Sequence, residues 1–180
     1  MKIVILERDG VISEDSDGSV RNPAEWIPIP GSLEAIATLN QSGYRVVVTC
    51  TKPGLMHGEL DIEGITAIHR KMHDELEGVG GHLDGTFFCP HPPSVECGCT
   101  NSETGLLNEI SDRFGITLNG IPVVCHSRDV IESALSLKAS PLRVTNDVGR
   151  NRLDTFSGGR EVPRFADLKT AVEAILESIS

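Results

Sequence analysis

Apolar residues in this chain fall into two alternating patterns. Short unbroken runs read as strands, and longer stretches with apolar positions three and four apart read as amphipathic helices. Ile3, Val4, Ile5 and Leu6 form the first run, followed by the polar, turn-rich stretch EDSDGSVRNPAEWIPIPG. Ser32 is placed to cap a helix whose apolar side is Leu33, Ile36 and Leu39. YRVVVT follows as a β-branched run of the kind buried on both faces of a parallel sheet. Ile65, Ile68, Met72 and Leu76 mark the next helix. TFF then leads into a cysteine-rich loop, and Leu106, Leu107, Ile110 and Phe114 mark a further helix. IPVVC, a helix over RDVIESAL, LRV, and a last helix with Leu168, Val172 and Ile175 complete the series. The segment NDVGRNRLDTFSGGREVP, rich in Gly, Asn and Arg, reads as a mobile loop near the cleft. The alternation predicts a three-layer α/β fold with a mostly parallel sheet. No internal repeat or linker divides the chain, so residues 1–180 read as one domain. Ligands of such sheets bind beyond the carboxyl ends of the strands. That directs attention to Glu7 and Asp9, Cys50 and Thr51, Cys89 onward, and Cys125 with His126.

Composition narrows the function classes. The chain has 180 residues, 39% of them hydrophobic, and a net charge of −10. Its sequence pI of about 5.0 argues against a nucleic-acid partner. No apolar run is long enough for a membrane span. The first apolar run is too short for a signal-peptide core, so a cytoplasmic protein is expected. Five cysteines are present, three of them between Cys89 and Cys99, which favours metal over disulfides.

The loop CPHPPSVECGC, residues 89–99, spaces Cys89, His91, Cys97 and Cys99 as C-x-H-x5-C-x-C. Three thiolates and an imidazole make a closed tetrahedral zinc site, so a structural zinc is expected there. Pro92 and Pro93 stiffen the loop, and so few apolar side chains give it little else to hold its shape. A second pair, His69 and His73, stands at i, i+4 beside an apolar stripe. With no third ligand in view, it reads as a solvated helix face.

The stretch ERDGVI sets Glu7 and Asp9 two residues apart before Gly10. Alone this is a strand end and a turn. Taken with WIPIPGSLEAIATLNQSGYRVVV, AIHRKMH, the FFCPHPP…CGC loop and IPVV, the chain resembles a known family over almost its whole length. That family is the D-glycero-D-manno-heptose 1,7-bisphosphate phosphatases of the haloacid dehalogenase (HAD) superfamily, close to the histidinol-phosphate phosphatases. The resemblance implies a Rossmann-like sheet without a large cap domain. It also implies a chemistry: an Asp after the first strand attacks phosphorus, and an Asp two residues on serves as acid/base. A Thr ending the second strand and a later Lys stabilise the phosphoryl group. Acids after the fourth strand help to hold magnesium.

Against that pattern Glu7 occupies the nucleophile position, and Asp9 matches the acid/base. CTKPG replaces TNQSG, so Cys50 stands for the Thr and Thr51 for the Asn; a one-residue shift would substitute Thr49 for Cys50. His57 stands for an Arg, Thr100 for an Arg, and Asn101 for the Lys. Cys125 and His126 replace Gly-Asp after the fourth strand, and Val130, beside Asp129, holds the position of the further acid. A Glu carboxylate reaches about 1.5 Å past that of Asp, and a misplacement near 1 Å costs about 100-fold. Each lost donor to transition-state charge costs about 100- to 1000-fold. The expectation is therefore a catalytically inactive or severely impaired family member, with weakened magnesium binding and a retained zinc loop. It would bind a small sugar phosphate or a protein partner, and as a compact chain without a cap it would be a monomer. The alternative is an active magnesium-dependent phosphatase with Glu7 as nucleophile, Asp9 as acid/base and Lys52 supplying charge. A further expectation is that Glu7, Asp9, Cys50 and His126 converge as a softer metal site, against Cys50 and Cys125 as small buried hydrophobes.

Overall fold

The computed structural model describes residues 1–15, 20–50, 61–89, 104–146 and 153–178. In chain order the elements are β1 (Ile3–Glu7), α1 (Ser32–Gln41), β2 (Arg45–Cys50), α2 (Ile62–Gly78), β3 (Gly85–Phe88), α3 (Gly105–Phe114), β4 (Pro122–Cys125), α4 (Arg128–Ser136), β5 (Ser140–Val144), β6 (Leu153–Thr155), β7 (Glu161–Phe165) and α5 (Leu168–Glu177). The strands form one sheet in the order β3-β2-β1-β4-β5-β7-β6. Every neighbouring pair is parallel except β6 and β7.

The period of two along β1 builds both faces of the core. Val4 and Leu6 pack with Ile36 and Leu39 of α1, Met72 of α2 and Val172 of α5. Ile3 and Ile5 point the other way, into a core shared with Ile110 of α3 and Ile131 of α4. Helices thus cover both faces, as the unbroken apolar strands require, and each such side chain contributes about 1.5–3 kcal/mol on burial. The three-layer, mostly parallel α/β fold is as the alternation predicts. Among the described residues, no helix is long and apolar enough to cross a membrane.

Two local expectations change. Ser32 does not cap α1. Gly31 holds the cap position at φ 84°, and Ser32, the first helical residue, donates its hydroxyl to Ile12 O at 2.7 Å. The hydroxyl thereby ties the loop after β1 to the helix instead of satisfying the helix's own amides. The stretch read as a mobile loop contains, in its described part, β6 and β7 paired antiparallel around a turn, with Phe156 and Val162 buried. Ser157 N–H and Oγ both donate to Glu132 of α4, at 3.1 and 2.7 Å, so the turn is anchored. The long connection before α1 is pinned as well: Lys71 Nζ of α2 donates to Pro23 O and Trp26 O at 2.9 and 2.8 Å.

Candidate active site

Parallel pairing of β1 with β2 and β4 brings three strand ends to one edge of the sheet. Glu7 is the last residue of β1, and its side chain is buried. One carboxylate oxygen, Oε2, accepts the backbone N–H of His126 at 2.8 Å and of Ser127 at 3.0 Å. These amides lie at the start of α4, where the helix leaves its first N–H groups unpaired and favours negative charge. Burial pushes the Glu7 carboxyl up from its usual range, against the hydrogen bonds from Ser127 and His126, and the charge of Asp9 adds to the rise.

Asp9 is held on the other side, by Arg8. The guanidinium grips it with Nε on Oδ1 and Nη2 on Oδ2, both at 2.9 Å. Cys50 Sγ, at the end of β2, donates to the same Oδ2 at 3.6 Å. Arg8 itself is only 2% exposed. Its Nη1 lies 3.4 Å from Nε2 of His69. Since a guanidinium only donates, that ring nitrogen accepts and His69 is neutral. Burial, with the nearby charge of Arg8 and then His73, pulls the His69 pKa down to about 4. His69 also meets Phe88 edge-on at 5.4 Å between ring centroids. This corrects the reading of His69 and His73 as a solvated face: His69 is buried, because α2 lays that flank across Arg8.

His126 follows β4. Its ring lies against Gly10, where an added Cβ would come within 2.5 Å of the imidazole Cγ. Nδ1 is 2.9 Å from Val144 O, so Nδ1 carries the proton and donates, and Nε2 is left 4.0 Å from Asp15 Oδ2. Asn146 Nδ2 donates to Gly10 O at 2.8 Å and fixes the turn beneath the ring.

Cys125 turns inward. Its thiol is fully buried near Val123 O and Leu142 O, and burial together with the charge of Glu7 pushes its pKa well above the ordinary thiol value. It is a small core residue and neither a ligand nor a nucleophile. Thr49 points its hydroxyl at Leu6 O, 3.5 Å away, while the buried Cys50 meets Asp9, so of the two it is Cys50 that touches the acidic pair. Val130 is buried and Asp129 exposed on the first turn of α4. Cys89 is buried just after β3, whereas His91, Cys97 and Cys99 lie outside the described residues, as do Thr51, Lys52, His57, Thr100 and Asn101.

The structure therefore pairs Glu7 with His126 and Asp9 with Cys50. Among the described residues, no three His, Cys, Asp or Glu side chains come together as a metal group. A joint soft-metal site at Glu7, Asp9, Cys50 and His126 is not formed. Magnesium takes near-octahedral oxygen ligands. Here both Asp9 oxygens carry the Arg8 fork, one Glu7 oxygen carries two amides, and β4 ends in a core thiol and an imidazole. The described donors do not fit magnesium. Sequence reasoning gave no part to Arg8, Asp15 or Asn146. For Arg8 the only signal was a cation set between two acids at a strand end.

No family model matches the chain. Curated relatives do. The D-glycero-beta-D-manno-heptose-1,7-bisphosphate 7-phosphatase of Bordetella bronchiseptica is 40% identical over 178 residues, covering 98% of this chain and 99% of the relative. The protein of the same name from Pseudomonas aeruginosa is 34% identical over 179 residues, covering 97% and 98%. Among solved structures, the B. bronchiseptica D,D-heptose 1,7-bisphosphate phosphatase complexed with magnesium and phosphate superposes with a TM-score of 0.86 at 35% identity, covering 99% of each chain. The Burkholderia thailandensis phosphatase gives 0.70 at 30% identity, covering 98% of this chain and 99% of that one. With likeness of this extent in both sequence and fold, the chain belongs to the D-glycero-D-manno-heptose 1,7-bisphosphate phosphatase family of the HAD superfamily.

Proposed function

We propose that the protein is a sugar-phosphate phosphatase with reduced turnover, acting on a phosphorylated heptose and using Glu7 as its nucleophile. The relatives from Bordetella bronchiseptica and Pseudomonas aeruginosa, which match nearly the full length of this chain, are named as phosphatases, so the comparisons give no support to the expectation that activity has been lost. The observation that carries the reading is the posture of Glu7. It ends β1 with one oxygen fixed by two amides, which holds the carboxylate in a defined orientation at the strand end. Attack on phosphorus would give a glutamyl phosphate that water then hydrolyses. Asp9, two residues on, is the second acid of the same edge. Magnesium, which the Bordetella structure holds with phosphate, comes to this chain by likeness alone, and a chelator arm tests it. A zinc bound by Cys89, His91, Cys97 and Cys99 remains part of the proposal on the chemistry of its donors. It is checked by metal analysis of the protein and of a Cys97→Ser variant.

A second reading, a binding protein without turnover, is favoured by one observation: every Asp9 oxygen and one Glu7 oxygen is already engaged. One experiment separates the two. Phosphate release from D-glycero-D-manno-heptose 1,7-bisphosphate is measured with magnesium and with chelator, for the protein and its Glu7→Gln variant. Release that disappears in the variant establishes hydrolysis through Glu7. Release no faster than the variant's background, with the sugar phosphate still bound by calorimetry, establishes the binding protein.

A further inference from the structure

A phosphatase of this kind needs a proton carrier: the sugar oxygen must leave as an alcohol, and the attacking water must lose a proton. Asp9 is the residue that the family pattern offers, but its setting is that of an anchored anion. Both oxygens accept from a guanidinium that is 2% exposed, and Cys50 Sγ points at one of them as well. His126 has the opposite setting. Nδ1–H is committed to Val144 O, Gly10 and Asn146 fix the surface on which the ring lies, and Nε2 has no hydrogen-bond partner within 3.5 Å among the described residues. The side chain is 30% exposed, on the loop that donates two amides to Glu7, so it is tied to the nucleophile through a single residue of backbone. Asp15 Oδ2, 4.0 Å from Nε2, is placed to compensate the ring when it holds its second proton. Among the described residues, the charged group that faces the ring is Asp15, from the loop after β1; Glu7 meets the backbone N–H of His126, and Asp9 turns to Arg8.

We propose that His126 Nε2 is the proton carrier of this site. The inference rests on the phosphatase reading. In the first step Glu7 attacks phosphorus, the bond from phosphorus to the sugar oxygen breaks, and that oxygen takes the proton from Nε2. Glutamyl phosphate, a free alcohol and a neutral His126 result. In the second step water attacks the phosphorus and gives its proton to Nε2. The bond from phosphorus to Glu7 then breaks, phosphate departs and the imidazolium is restored. Asp9 keeps its negative charge throughout and holds Arg8.

The test exploits the leaving group. p-Nitrophenolate leaves without a proton, whereas a sugar alkoxide does not. First-turnover rates, with enzyme in excess, are measured on the heptose bisphosphate and on p-nitrophenyl phosphate for the protein, His126→Asn and Asp9→Asn. Asn at 126 retains a donor for Val144 O and removes Nε2, and thermal melting confirms that it folds. The expected result is a loss of about 100-fold or more on the sugar phosphate for His126→Asn. The loss on the nitrophenyl ester should be at least tenfold smaller, and Asp9→Asn should slow both substrates alike. If His126→Asn changes the two rates equally, or if Asp9→Asn alone shows the leaving-group dependence, His126 is not the carrier. An unvaried protein that hydrolyses neither substrate faster than Glu7→Gln removes the phosphatase reading, and this proposal with it. A tautomer readout is independent of activity. Nitrogen-15 NMR should show the neutral His126 ring protonated on Nδ1, and a proton on Nε2 instead would overturn the geometry on which the inference stands.

Discussion

The two acids of β1 are only two residues apart, yet they are held by different physics. Glu7 is held on the β4 side by backbone: two amides at the start of α4 and, among the described residues, no side-chain cation. Asp9 is held on the β2 side by side chains: a buried guanidinium, a thiol and, behind them, a neutral histidine. Backbone amides are neutral dipoles and remain in place when the acid is changed. The Arg8 fork is a full charge, and removing either partner leaves the other poorly solvated. The β2 side should therefore be brittle and the β4 side forgiving.

The largest expected effect tests the brittle side. Arg8→Met keeps most of the volume but strips Asp9 of its partner and His69 Nε2 of its donor. Breaking a buried pair of this kind costs about 3–5 kcal/mol, read as a lower urea midpoint at unchanged slope. Adding Asp9→Asn should recover part of that loss, because the orphaned charge goes with it. A purely additive double variant would show that the fork carries no coupling.

His69 gives the next effect, through pH. Its native pKa is lowered from 6.5 to about 4, so between those values the unfolded chain binds a proton that the folded one refuses. Stability from this group is then complete above about pH 6.5 and is lost as pH falls towards 4, by on the order of 3 kcal/mol. His69→Phe, which fills the same space beside Phe88, should flatten that part of the urea-midpoint profile. A profile unchanged by the substitution would mean that the folded and unfolded chains bind the His69 proton alike.

Gly10 links the two sides and comes third. Its φ is 78°, and a methyl group there would run into the His126 ring. Gly10→Ala should cost about 1–2 kcal/mol from backbone conformation alone, with the displacement of the imidazole added. The NMR signal of His126 should shift in this variant and not in Gly43→Ala, where φ is 79° but no atom of the described residues lies within 4 Å of the added carbon.

The contrast between the two sides also marks what the sequence could reveal. Strands β1, β2 and β4 were legible because parallel strands buried on both faces leave apolar runs, whereas the half-buried β3 and β5 showed only as the short stretches TFF and LRV. Strand β7 was not, because Pro163 and exposed Glu161 interrupt its pattern, while β6 has only three residues. Glu7, Asp9, Cys50 and His126 were legible as a group, since the topology sends strand ends to one edge. Their pairing was not. An Arg between two acids reads as surface, and the burial of Arg8 exists only once α2 has laid His69 over it. Spacing along a helix shows which residues share a face, but a flanking histidine goes in or out according to the partner it meets.

The smallest effect, and the one that separates the two sides most cleanly, is the pH response of Glu7. Burial raises its native pKa above the ordinary 4.5, so above that value the unfolded chain gives up a proton that the folded chain retains. The sign is opposite to that of His69: this group's contribution is complete below about pH 4.5 and declines as pH rises through the folded pKa. Between pH 4 and 6.5 the two groups pull against each other, and the unvaried protein shows only their sum. Glu7→Gln keeps an oxygen for the two amides and cannot ionise, so its urea midpoint should gain on the unvaried protein as pH increases. In the Glu7→Gln background the rise from His69 should stand out more steeply. If Glu7→Gln instead loses ground with rising pH, the helix-start amides stabilise the carboxylate by more than burial costs it, and the β4 side is then an anion-binding site in its own right.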